Sequence, residues 1–189
     1  MHMRVLVAGL LGGLTIFFWG FISHMLLPLG EIGIDVTSGE DAVLQSLRAT
    51  LPHEGIYLLP GLAREQYEDP KATAAYSAKA LANPYAFIVY QPQGKDDLDM
   101  TGNLAREWLG NTLSALLAAV LLTLGKFSFM RRVSIAGGLG IFAWLAISLP
   151  YWNWYRFPLD FTLANLLQQV IGWLLAGAVM AMWLGRREG

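Results

Sequence analysis

The chain has 189 residues and a formal net charge of -1; 55% of its residues are hydrophobic and only 14% are charged. Together with a positive mean hydropathy, this balance belongs to integral membrane proteins. Cysteine is absent, which excludes disulfides, thiolate metal sites, iron–sulfur clusters and a cysteine nucleophile.

The first element, Val5 to Leu29, contains no Asp, Glu, Lys or Arg. Roughly 20 apolar residues rising about 1.5 Å each cross a hydrocarbon core of roughly 30 Å, so this run is expected to span as a helix. It meets Pro28 and Glu31 without a small-residue cleavage site and is therefore read as a retained anchor. Three later apolar runs, 108–125, 133–152 and 161–184, give an expected count of four spans.

Basic residues near span ends stay on the cytoplasmic side. Arg4, then Lys126, Arg131 and Arg132, then Arg186 and Arg187 all fall on one side of a four-span chain. Both termini are thus expected in the cytoplasm, with residues 29–107 in the periplasm. The expected fold class is an α-helical integral membrane protein of the bacterial inner membrane, with four transmembrane helices and a small α+β domain between helices 1 and 2. The domain boundaries read 1–29, 30–102 and 103–189.

The interval between the first two spans is acidic, with twelve carboxylates from Glu31 to Glu107 against six basic groups. Such a surface repels nucleic acid and anionic headgroups. Local signals predict its elements in order. Ser38-Gly39-Glu40-Asp41 fits a capping box before a helix over 39–51. Gly55 to Leu59 reads as a strand before Pro60-Gly61. Asp69-Pro70 starts an alanine-rich helix that Asn83-Pro84 stops, and Tyr85 to Tyr90 reads as the second strand. A further helix starts near Thr101 and runs into the second span. Both strands are apolar on both faces, so they require cover from the two helices, from the span ends or from another protein.

Four groups of residues bear on chemistry. His24 lies near the end of the first span, where an ionisable residue either hydrogen-bonds a facing helix or water or serves a site. The metal alternative joins His24, Glu31 and His53, whose imidazole and carboxylate donors suit zinc or copper. No HxH, HxxxH or HExxH spacing accompanies them. The stretch Tyr151 to Asp160 is read as an outer turn whose Trp152, Trp154 and Tyr155 form an interfacial belt, with Arg156 pairing Asp160. With Gln168, these residues are the expected interface or ligand pocket. Asn165, Gln168 and Gln169 on the last span, and Asn111, Thr112 and Ser114 on the second, are expected to hydrogen-bond between helices. Gly9 with Gly13, Ala136 with Gly140, and Gly172 with Ala176 are four apart and permit close helix approach.

No GxSxG, Walker loop or GxGxxG follows a strand, and nothing selects a cofactor. The segments WGFISHMLLPLGE, GIYLLPG, YAFIVYQPQG and PYWNWYRFP together resemble a family of small bacterial four-helix inner-membrane proteins with an outer domain after the first span. That resemblance implies the same layout and attaches no activity or catalytic residue to it. The functional expectation is a non-catalytic accessory or assembly subunit in the lipid bilayer, packed against another membrane protein or itself. The alternative is a membrane protein that binds a small ligand or metal at the His/Glu/aromatic site.

Overall fold

The computed structural model describes residues 3–185. It is mostly helical, with a small two-stranded sheet, and divides into two compact units: residues 1–35 with 98–189, and residues 36–97.

In the first unit, α1 runs Met3–Phe21 and passes into a π-turn over Ile22–Leu26. Pro28 cannot continue the ladder, and the chain closes with Leu27 N–H on the Ile22 carbonyl (3.0 Å) and Leu29 N–H on that of Ser23 (2.8 Å). Next in this unit is α4, Thr101–Leu121. A third long segment comprises α5 (Phe129–Ala143), a π-turn over Trp144–Ser148 and α6 (Leu149–Tyr155); α7, Leu159–Gly185, completes the unit. Three segments are long and apolar enough to cross a membrane: Met3–Leu26, Phe129–Tyr155 and Leu159–Gly185.

The expected second span differs. Its helix stops at Leu121, and the remainder, Leu122 to Gly125, is a turn in which Thr123 N–H reaches the Val120 carbonyl and Leu124 N–H that of Leu121. Arg106 and Glu107 lie toward the other end of the same helix, and Asn111 lies at its midpoint. The apolar stretch left between them is shorter than the expected 108–125.

The helices are ordered α4, α1, α7, α5, each packing along the next. Small residues make this approach close enough for dispersion contacts. A Cβ at Gly13 would lie 2.5 Å from the Thr112 Cα, and one at Gly9 would lie 2.8 Å from the Leu116 Cα, so α1 meets the backbone of α4. A Cβ at Gly177 would lie 2.5 Å from that of Ala136, and one at Gly140 would lie 2.8 Å from the Gln169 carbonyl, which brings α7 onto α5. The core they enclose is built from Val5 and Ala8 on α1, Ala118, Ala119 and Leu122 at the end of α4, and Ala176, Met180 and Leu184 on α7.

At the Arg4 end, arginines satisfy helix-terminal carbonyls that lack intrahelical partners. The Arg4 guanidinium donates to the Leu184 carbonyl, and Trp183 Nε1 donates back to the Arg4 carbonyl at 3.1 Å. Arg132 is buried and donates through Nε to the Leu122 carbonyl at 3.4 Å. The expected basic residues Arg186 and Arg187 lie outside the described residues.

In the second unit, α2 (Glu40–Thr50), β1 (Gly55–Leu59), α3 (Pro70–Ala82) and β2 (Ala86–Tyr90) follow the expected order. Asp69 caps α3, accepting from Lys71 N–H at 2.9 Å ahead of Pro70. Ser38 does not cap α2. Gly39 is the N-cap residue, and Thr37 Oγ1 takes the Gly39 N–H instead. The strands pair antiparallel, with Ile56 opposite Val89 and Tyr57 opposite Ile88. Neither α2 nor α3 buries a residue, and no residue between Val36 and Asp97 is fully buried. Ile56 and Val89 are each 66% exposed. The two helices therefore leave this face of the sheet uncovered.

Candidate functional site

Of the expected site residues, His24 beside Pro28 and Gln168 on α7 are brought into contact. His24 sits in the first π-turn, and its Nε2 lies 2.6 Å from Gln168 Nε2. The side-chain amide of Gln168 thus hydrogen-bonds the imidazole across the two helices. Two tryptophans reinforce the junction: Trp19 Nε1 donates to the Gln168 carbonyl at 2.9 Å, and Trp144 Nε1 to that of Thr162 at 2.8 Å. Both π-turns are thus tied to one helix, His24 and Trp144 each belonging to such a turn. Inserted residues of this kind reorient side chains that a regular helix would aim elsewhere.

The chain after Pro28 folds back over this junction. A Cβ at Gly30 would collide with the His24 ring, so glycine is required for the imidazole to lie where it does. Gly33 adopts φ 77°, and a Cβ there would lie 2.7 Å from that of Phe161.

Glu31 is exposed on this turn, with its carbonyl accepting from Ile34 N–H at 3.0 Å. His53 belongs to the second unit, where its ring lies 6.1 Å from that of Tyr57 and its carbonyl accepts the Tyr57 hydroxyl. Among the described residues, no three His, Asp and Glu side chains gather into a metal-ligand set.

The aromatic stretch is helical where a turn was expected. Leu149 starts α6 immediately after the second π-turn, with Pro150 in its first turn where the missing N–H is tolerated, and the helix carries Tyr151, Trp152, Trp154 and Tyr155 up to its C-cap Arg156. Arg156 ends it in the left-handed conformation at φ 56°, leaving a connection of three residues, Arg156 to Pro158. Rings at Tyr155, Tyr151, Phe157 and Phe161 follow one another with centroids 5.5, 5.2 and 5.6 Å apart. Trp154 is 76% exposed. The Asp160 carboxylate accepts the Phe161 N–H at 2.8 Å, and Thr162 Oγ1 donates to the Pro158 carbonyl, which together start α7.

Nothing in the spacing of Trp19, Trp144 and Gly30 singles them out. Each lies in an apolar or turn context that gives no reason to prefer it, and its partner is remote in sequence or set by the fold-back. A shallow hollow around Arg64–Gln66, lined by Leu62, Arg64, Glu65, Tyr67 and Glu68, gathers charged groups that stay exposed to water.

The junction holds one imidazole and one amide. It is built to join helices. A double-mutant cycle over His24→Ala and Gln168→Ala is expected to return a coupling of about 0.6 to 1.7 kcal/mol in detergent unfolding. Additive losses would show that the contact carries no energy.

These features define a mostly helical protein with three helices long and apolar enough to cross a membrane and a small two-stranded sheet. Comparison with protein-family models, curated proteins and solved structures found no match.

Proposed function

We propose that this chain is a non-catalytic accessory or assembly subunit of the bacterial inner membrane, packed against another membrane protein. The observation that carries this reading is the absence of any fully buried residue from Val36 to Asp97, with Ile56 and Val89 exposed on an uncharged sheet. A two-stranded ribbon is marginal in water, and native strands of this kind are covered or guarded by charge. A partner surface supplies the missing cover.

In this reading α4 is a fourth, short span. Leu109, Leu113, Leu117 and Leu121 recur every four residues and are 52%, 54%, 71% and 41% exposed, a ridge suited to acyl chains. Arg4 and Arg132 cap helices at the same end of the first unit, which favours a cytoplasmic location for that end and for both termini. Residues 29–107 then lie in the periplasm. A reporter fused after Gly189 is expected to be active in the cytoplasm, and one inserted at Lys95 in the periplasm. Exchange of the two signals would reverse the orientation.

Purification in a mild detergent followed by mass spectrometry tests the central claim. A second membrane protein in stoichiometric yield is expected, and a lone monomer would reject the subunit reading. The His24–Gln168 contact favours a second reading, a small-ligand site beside Trp152, Trp154 and Tyr155. A purified protein carrying an organic molecule that His24→Ala releases would establish it.

A further inference from the structure

We infer that the turn joining α4 to α5 binds the phosphate of an anionic phospholipid. The inference rests on the membrane reading above and adds a ligand to it. Among the described residues Arg4, Lys126, Arg131 and Arg132 belong to this end of the helices, while neither α1 nor the stretch from Trp108 to Leu159 contains an Asp or Glu. Arg4 and Arg132 already donate to the Leu184 and Leu122 carbonyls. Lys126 and Arg131 are exposed, and neither side chain has a partner among the described residues.

The placement of Arg131 compounds the charge. It lies in the first turn of α5, which has no acidic residue there to offset the positive end of the helix dipole. A bound anion relieves both sources of repulsion at once. The neighbouring side chains indicate which anion: Leu124, Phe129 and Met130 are 74%, 44% and 65% exposed beside the two cations. A ligand with a phosphodiester and acyl chains satisfies the charged and the apolar groups together. Free phosphate satisfies only the first.

The full chain in neutral detergent, titrated separately with phosphatidylglycerol and phosphatidylcholine and followed by native mass spectrometry, tests the inference. Wild-type protein is expected to retain phosphatidylglycerol selectively. The pair Lys126→Gln and Arg131→Gln is expected to weaken that retention about 30-fold, the equivalent of two contacts of about 1 kcal/mol each. The charge-conserving pair Lys126→Arg and Arg131→Lys should retain the lipid, which separates loss of charge from loss of fold. Equal retention of both lipids, or undiminished retention by the glutamine pair, overturns the inference. Inorganic phosphate that displaces the lipid at equal concentration overturns the lipid as the source of the anion. Carbonate extraction separates the two levels: a chain washed from membranes defeats both readings, whereas a retained chain without lipid selectivity defeats this one alone.

Discussion

Replacing Gly13 by leucine is expected to destabilise the helical unit by about 3 kcal/mol, the upper part of the range for overpacked sites. A Cβ at that position would lie 2.5 Å from the Thr112 Cα and 2.9 Å from its backbone nitrogen. No rotamer change on α4 clears that space, because the obstructing atoms are main chain. The helices must separate, which also disturbs the neighbouring contact of Gly12 with Met180 and Ala115. Gly20, on the same continuous segment, provides the control. Nothing lies within 4 Å of a Cβ built there, so Gly20→Leu is expected to cost within about 0.5 kcal/mol. Unfolding in mixed micelles, followed by tryptophan fluorescence, reads both variants. Equal midpoints for the two would contradict the packing of α1 against α4.

The second large effect is on association. Ile56→Lys combined with Val89→Glu converts the most exposed cross-strand pair of the sheet into opposite charges. Because the residues face each other across the ladder, the pair supports the sheet while removing its apolar surface. Both positions are 66% exposed, so the helical content and thermal midpoint of the isolated chain should stay unchanged. If the proposed partner docks on this sheet and each residue contributes about 2 kcal/mol, as buried interface anchors do, its affinity should fall about a thousandfold. Undiminished recovery would show that the partner docks elsewhere.

The second unit was largely legible in its sequence, because short-range chemistry decides its boundaries. Asp69-Pro70 announces the start of α3, and Pro60 and Pro92 follow the ends of the first and second strands. Ser38 misled because Thr37, one residue earlier, provides the hydroxyl that the turn uses. Among the long helices, hydropathy located the three that are long and apolar enough to cross a membrane. It could not show that the apolar run from Trp108 to Gly125 ends its helix at Leu121.

The His24 junction was legible only in part. His24 and Gln168 each stand out as polar groups in apolar surroundings, yet their pairing spans 144 residues and depends on α1 lying beside α7. The π-turns left no trace in the hydrophobic pattern, since one inserted residue shifts a helical face without changing composition. Tyr151 to Tyr155 read as part of a turn because the cluster is rich in interfacial residues, whereas α6 carries it on as a helix to Tyr155.

The order α4, α1, α7, α5 has a bearing on biogenesis. As the chain emerges, α1 and α4 can associate at once, whereas α5 must wait until α7 arrives to sit between it and α1. The final helix therefore closes the assembly from its middle. A polypeptide arrested before α7 would retain only half of the helical unit in its native pairing, and α5 would be the segment left for quality-control machinery to recognise.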